Sequence, residues 1–280
     1  MAARTVLVYG VDFTSAPRRA KPIVVATGVN RAGELRITNL EQLEDFTAFE
    51  RMLERSGPWI GGFDFPFGMP VQLLRDLRWP QRWPALVRHC KAMSRDALRA
   101  TLDAYRSTRP VGGKYVHRAT DGPAGSSSPM KLVNPPVALM FHEGAPRLLQ
   151  SGVHVPGLVN GDVRRVALEA YPGLLARSVT RASYKNDART SQTRARSAAR
   201  TVILDALQSG EHALGLKVSF AEPGLRRRAL EDGSGDALDA TLCAVQAGWA
   251  ARQRNYGLPA KFPGCEGWIV GAQPNLRAAR

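Results

Sequence analysis

Several features that mark other protein classes are missing from this chain of 280 residues. No run approaches the roughly 18 apolar residues that cross a bilayer, and the short apolar segment at the N-terminus leads straight into Asp12, unlike a secretory signal. The three cysteines, Cys90, Cys243 and Cys265, are odd in number and widely spaced. They cannot form a disulfide framework or a C-x-x-C metal knuckle by themselves. We therefore expect a cytoplasmic protein with no membrane partner.

Histidine and acidic residues are also scarce. The five histidines show no H-x-x-x-H pair, so no helical zinc motif is predicted. The 24 Asp and Glu residues face 39 Lys and Arg residues, which gives a formal charge of +15. Such an excess favours polyanion partners, because cationic side chains neutralise phosphates and release counterions. We expect nucleic acid, either DNA or RNA, as the partner, although a charge spread over a solvated surface remains an alternative.

The pattern of apolar residues predicts an α/β fold with a mixed five-stranded sheet flanked by helices. The predicted strands cover residues 5–13, 23–27, 34–38, 59–64 and 163–171. A helix is expected to begin at Asn39, so that the fourth strand returns beside the first. A long basic helix is expected at about 190–208 and a C-terminal helix from about 231.

The region between residues 70 and 160 has a weaker pattern, with many Pro, Gly and Ser residues. One helix is expected there, from Ala85 to Ser107, together with a long loop. Long loops inside compact domains are often functional. We therefore predict a single domain, 1–280, that carries a helical and loop insertion or lid at 70–160.

Acidic residues stand at the ends of two predicted strands. Val6 to Asp12 and Trp59 to Asp64 are both apolar segments that stop on an aspartate, and Asp236 and Asp239 lie on the C-terminal helix. Buried carboxylates are costly without compensation, and several together cannot all ionise without a cation. The sequence predicts that Asp12, Asp64, Asp236 and Asp239 hold Mg²⁺ or Mn²⁺, with two ions about 4 Å apart as one possibility. Asp236 alone is equally explained as an acid favoured at a helix N-terminus.

Three further residues complete the predicted site. Glu169 ends another strand and is a candidate metal ligand or water-positioning base. Lys131 and Lys185 are candidates for contact with a scissile phosphate, and each is also explained as an ordinary surface charge.

Four short motifs resemble those of domain-of-unknown-function family 429. They are Gly10-Val-Asp12 with Lys21-Pro-Ile-Val-Val25, Gly62 to Gly68, Glu169 to Gly173, and Asp236 to Ala240, the last leading toward Glu266 to Ile269. The resemblance implies a ribonuclease-H-like fold and a metal-dependent nuclease site. Asp236-Ala-Leu-Asp239 is also similar to the helical acid pair of Holliday-junction resolvases in the same fold superfamily.

Two alternatives stand beside a nuclease. A phosphotransferase of the sugar-kinase and actin-like superfamily shares the strand order and begins with a strand that bears an aspartate, but it normally has duplicated halves and Gly-rich nucleotide loops. In a non-catalytic nucleic-acid-binding module, the same acids would form a structural ion network. The sequence does not determine the oligomeric state.

Overall fold

A seven-stranded mixed sheet forms the centre of the molecule in a computed structural model that describes residues 5–273. The strands are β1 (Val6–Asp12), β2 (Ile23–Arg31), β3 (Glu34–Leu43), β4 (Trp59–Asp64), β5 (Val153–His154), β6 (Asp162–Glu169) and β7 (Lys217–Phe220). Their order across the sheet is β5-β6-β4-β1-β2-β3-β7. β1 pairs in parallel with β4 and antiparallel with β2. The fourth strand therefore does return beside the first.

Helices cover both faces of this sheet. They are α1 (Phe46–Leu53), α2 (Val71–Asp76), α3 (Trp83–Lys91), α4 (Arg95–Ser107), α5 (Asp121–Ala124), α6 (Val137–Ser151), α7 (Pro172–Val179), α8 (Arg194–Ser209), α9 (Pro223–Glu231) and α10 (Asp236–Ala250). One buried core joins the sheet to α1–α4 and α6. A second core joins the other face to α7–α10. The prediction of an α/β fold with a mixed, helix-flanked sheet is confirmed.

The sheet has seven strands among residues 5–273, rather than the five predicted. The two additional strands lie at its edges, where β5 has two residues and β7 has four. Strands this short give no recognisable alternation in the sequence.

Two predicted helices differ from the structure. The segment after Thr38 continues as strand to Leu43, and α1 begins only after Asp45, whose carboxylate accepts a hydrogen bond from the Ala48 amide. The helix expected over 85–107 is divided into α3 and α4, because the Ser94 hydroxyl accepts a hydrogen bond from the Ala97 amide and caps a new helix.

Five helices, α2–α6, lie between β4 and β6 in the chain, together with β5. α2, α3, α4 and α6 share the buried core that contains α1. The description of residues 70–160 as an insertion or lid stays a prediction. Between residues 5 and 273, no helix combines the length and apolar character needed to cross a membrane.

Candidate metal centre

Asp12 and Asp64 are neighbours because their strands end together. They are the last residues of β1 and β4, and they face each other directly in the parallel register. Parallel strands lie about 4.8 Å apart, and paired residues point to the same face of the sheet. Both carboxylates therefore emerge at one edge of the sheet, on the side that α10 covers.

Two glycines allow α10 to reach this edge. Gly10 and Gly62 are also paired in register, two residues before the aspartates. A Cβ at Gly10 would lie 2.0 Å from the Ala240 carbonyl oxygen, and one at Gly62 would lie 2.4 Å from that of Cys243. The helix backbone thus rests directly on the bare backbone of both strands, which brings its first turns up against the strand ends.

The close approach of α10 places Asp239 beside the strand carboxylates. One oxygen from each of Asp12, Asp64 and Asp239 lies within 4.8 Å of the others. Asp12 is 8% exposed and Asp239 is completely buried. We name these residues the three-carboxylate cluster. Its oxygen atoms are close enough to share one cation.

Burial and mutual repulsion make this cluster unfavourable when it is fully ionised. Burial raises the pKa of Asp64 to about 7, and the nearby Asp239 and Glu169 add to the rise against the opposing effect of Lys185. Burial, followed by repulsion from Asp236 and Asp239, raises the pKa of Asp12 well above its usual value. Such shifts mark a site where charge needs compensation.

The chain compensates only one of the three acids by direct contact. Asp239 accepts a hydrogen bond of 2.6 Å from the Tyr184 hydroxyl and forms an ion pair with the Lys185 ammonium group. The Lys185 side chain is 42% exposed, but its charged end lies against the buried carboxylate. Within residues 5–273, the carboxylates of Asp12 and Asp64 have no hydrogen-bond or ion-pair partner. Asp12 is a buried residue, but its carboxylate oxygens keep access to the cavity that Asp12 and Asp64 both line.

Asp236, the fourth predicted ligand, lies outside the cluster. Its carboxylate binds the Lys21 ammonium group at 2.8 and 3.0 Å, and Lys21 also binds Asp187 at 2.7 Å. Asp236 and Asp239 are about 60° apart around the helix axis. This angle is sufficient for one to face the strand ends and the other to face Lys21.

Glu169 also has a cation of its own. Its oxygens accept hydrogen bonds from Arg118 at 2.7 and 2.8 Å, and from the Phe67 amide at 3.0 Å. The same guanidinium group binds Asp121 at 2.8 Å. Arg118, Asp121 and Glu169, which are all buried, form what we call the Arg118 network. Burial raises the pKa of Glu169, and Arg118 opposes that rise.

A cavity of about 850 Å³ opens above the strand ends. Asp12, Asp64 and Asp236 line it, as do Glu169 and Lys185. Lys131 does not line this cavity, so among the two predicted phosphate-binding lysines only Lys185 lies near the acids.

Sequence reasoning missed Lys21, Arg118 and Tyr184. Lys21 belongs to a segment that carried the family resemblance, and Tyr184 immediately precedes Lys185. For Arg118 the sequence gives no signal, because it lies in an irregular segment 51 residues from its partner Glu169.

The residues of the three-carboxylate cluster fit a hard divalent cation. They offer oxygen donors only, which Mg²⁺ and Mn²⁺ prefer. The Asp12 carboxylate is the observation that favours such an ion, because it lines the cavity and forms no hydrogen bond or ion pair with any residue between 5 and 273.

Comparisons with protein-family models, with curated proteins and with solved structures gave no match to this chain. The resemblance to family 429 stays a prediction.

Proposed function

We propose that this protein is a metal-dependent nuclease with a ribonuclease-H-like core, as the resemblance to family 429 implies. The observation that carries the proposal is the convergence of Asp12, Asp64 and Asp239 within 4.8 Å, where the Asp12 carboxylate lines the cavity and has no hydrogen-bond or ion-pair partner among residues 5–273. Clusters of carboxylates that hold divalent ions are a recurrent basis of phosphodiester hydrolysis.

The sheet supports the proposed core. Its inner strands follow the order β3-β2-β1-β4-β6, and only β2 runs antiparallel to the others. This arrangement agrees with a mixed five-stranded core whose fourth strand returns beside the first. A phosphotransferase of the sugar-kinase superfamily would share it, so topology alone does not choose between the two.

Each residue of the site has a distinct role in the proposed reaction. A bound Mg²⁺ or Mn²⁺ supplies an activated water and stabilises charge on the leaving oxygen. Asp12, Asp64 and Asp239 hold the ion, and Tyr184 fixes the orientation of the Asp239 carboxylate. The Lys185 ammonium group, exposed to the cavity on one side, is placed to contact a substrate phosphate. The charge of +15 attracts the polyanion.

The proposal is tested by cleavage and by metal binding. Labelled single-stranded, duplex and branched DNA and RNA are incubated with Mn²⁺ or with chelator, using wild-type protein and Asp12→Asn. We expect cleavage only with Mn²⁺ and only by the wild type, with at least a thousandfold loss in the variant. Cleavage that survives in a clean Asp12→Asn preparation, or in chelator, would refute the assignment.

A non-catalytic nucleic-acid-binding module is the second candidate, and two ion pairs favour it. Lys185 already forms an ion pair with Asp239, as Lys21 does with Asp236, so part of the acidic charge is neutralised within the chain. Isothermal titration with Mn²⁺ separates the two candidates. Binding that depends on Asp12 supports the nuclease, whereas no binding supports the module.

A further inference from the structure

The cavity above the three-carboxylate cluster has an apolar part that the proposed metal chemistry does not use. It consists of Phe65 and Pro66 after β4, and of Pro135, Pro136, Val137 and Met140 at the start of α6. Val137 and Met140 are three residues apart on α6 and therefore share one side of the helix. Both are only half-buried, so each leaves apolar surface open to the cavity.

The charged part of the lining comes from the other side of the sheet. Tyr184 packs in the core on the α7–α10 side, and it is followed by Lys185, whereas Phe65 packs in the core on the α1–α6 side. The apolar residues named above thus come from one layer and Lys185 from the other, while Arg118 before α5 and Pro172 and Ala176 of α7 also line the cavity. The carboxylates lie between the two layers at the sheet edge.

The size of this cavity limits what it can hold. About 850 Å³ lies within the range of small-molecule pockets, roughly 300–1,000 Å³. A base in a duplex is paired and stacked, and it presents only its edges to the grooves. Its flat face becomes available to an apolar surface only when the nucleotide leaves the stack.

We propose that the cavity receives one unpaired nucleotide of a nucleic-acid chain, with its base against Pro136, Val137 and Met140 and its phosphate beside Lys185 and the carboxylates. That the ligand is a nucleic acid rests on the proposed function. The inference deepens that function by making the substrate single-stranded or locally unpaired, so that an intact duplex is excluded.

The test uses binding, which does not require catalysis. Fluorescence anisotropy compares a labelled single-stranded oligonucleotide with a fully paired hairpin, using the Asp12→Asn protein as background. We expect the single strand to bind more tightly. Adding Val137→Glu should weaken binding of the single strand by about fivefold or more, taking the lower end of the range known for a base stacked on an aromatic side chain, while binding of the hairpin changes little.

Val202→Glu is the matched control, since Val202 is a half-exposed apolar residue on α8 that does not line the cavity. It introduces the same charge and should leave the preference for the single strand unchanged. If Val137→Glu does not fold, Val137→Ala removes apolar contact without adding charge. It should weaken single-strand binding in the same direction, by a smaller factor.

Equal affinity for the single strand and the hairpin would overturn the inference, as would equal effects of Val137→Glu and Val202→Glu. A free mononucleotide that binds as tightly as the oligonucleotide would also overturn it, in favour of a small-molecule site. If the wild type cleaves nothing with Mn²⁺ but the Val137-dependent preference persists, the proposed nuclease fails and the nucleotide site stands.

Discussion

The three-carboxylate cluster and the Arg118 network lie at the same end of the sheet and differ in how their charge is balanced. In the network, both oxygens of Glu169 accept hydrogen bonds from a guanidinium group that is itself buried. In the cluster, Lys185 reaches only Asp239, and Asp12 and Asp64 have no partner among the described residues. The difference teaches that a carboxylate at a strand end is structural where the chain supplies the cation. It is a candidate site where the chain does not.

The largest effect is expected from removing the internal cation of the Arg118 network. Arg118→Met leaves Glu169 and Asp121 buried without their partner, which should lower the free energy of unfolding by about 3–5 kcal/mol. Urea denaturation measures this change. Arg226→Met is the control, since Arg226 pairs with the largely exposed Asp205 and should cost less than about 1 kcal/mol. Equal stability of the two variants would show that the network contributes little.

Adding a divalent cation should have the opposite effect on the cluster. At free Mn²⁺ of 100 times the dissociation constant, the wild type should gain about 2.7 kcal/mol in free energy of unfolding. Asp12→Asn should show no such gain, although without metal it should be at least as stable as the wild type, because it removes an unpaired buried charge.

Glu169→Gln provides the matched comparison for Mn²⁺. It makes the same carboxylate-to-amide change in the Arg118 network, which has its own cation, so it should keep the gain with Mn²⁺. If Glu169→Gln were not stabilised by Mn²⁺, or if Asp12→Asn were, the three-carboxylate cluster and the Arg118 network would not differ in their need for a metal ion.

A third experiment disturbs the helix that carries Asp239 without changing any charge. Gly10→Ala brings a Cβ to 2.0 Å from the Ala240 carbonyl oxygen, so α10 must move away from β1. We expect a loss of about 1–3 kcal/mol in the free energy of unfolding, together with weaker Mn²⁺ binding. Gly122→Ala on α5 is the control, because a Cβ there meets nothing within 4 Å. A Gly10→Ala protein that matches the control in stability and Mn²⁺ affinity would contradict the role of Gly10.

The last expected effect is a dependence of stability on pH without metal. Asp64 has a pKa of about 7 in the folded protein, against a usual value of 3.8. Between these values the folded state binds a proton that the unfolded chain has released, so the free energy of unfolding falls as pH rises toward 7. Asp64→Asn removes this contribution.

The variant should therefore gain stability relative to the wild type when the pH rises from 5 to 8 in chelator. Urea denaturation at each pH measures the difference. With Mn²⁺ the wild type should instead gain stability relative to Asp64→Asn as the pH rises. The reason is that the ion competes with the proton for the carboxylate and binds more tightly at higher pH. Parallel pH profiles for the two proteins in chelator would show that Asp64 titrates normally.

Much of the cluster was predictable from short patterns. Two apolar segments that each stop on an aspartate, Val6 to Asp12 and Trp59 to Asp64, predicted two carboxylates at neighbouring strand ends. The structure brings these two together with Asp239. Helical periodicity could not decide between Asp236 and Asp239, because the rotation of α10 is fixed by its packing on Gly10 and Gly62.

Long-range partners were not predictable. Arg118 lies in an irregular segment, and no periodic pattern in the sequence predicts the path of that segment. The sequence therefore could not show whether Glu169 binds a metal ion or Arg118. β3 was predicted to end at Thr38, which is the unpaired residue of a bulge opposite Thr27 and Gly28 of β2. The strand continues beyond this bulge to Leu43. The pairing of β3 with β2 maintains the strand where local propensity favours a helix.

The contact between Gly10 and α10 also has a consequence for biosynthesis. Asp12 and Asp239 are separated by most of the polypeptide, and the last helix must dock on the first strand before the two can meet. Chains emerge from the ribosome N-terminal end first. A nascent chain therefore cannot bring its three carboxylates together while only β1 and β4 have been synthesised, and the cluster forms only after α10 has left the ribosome.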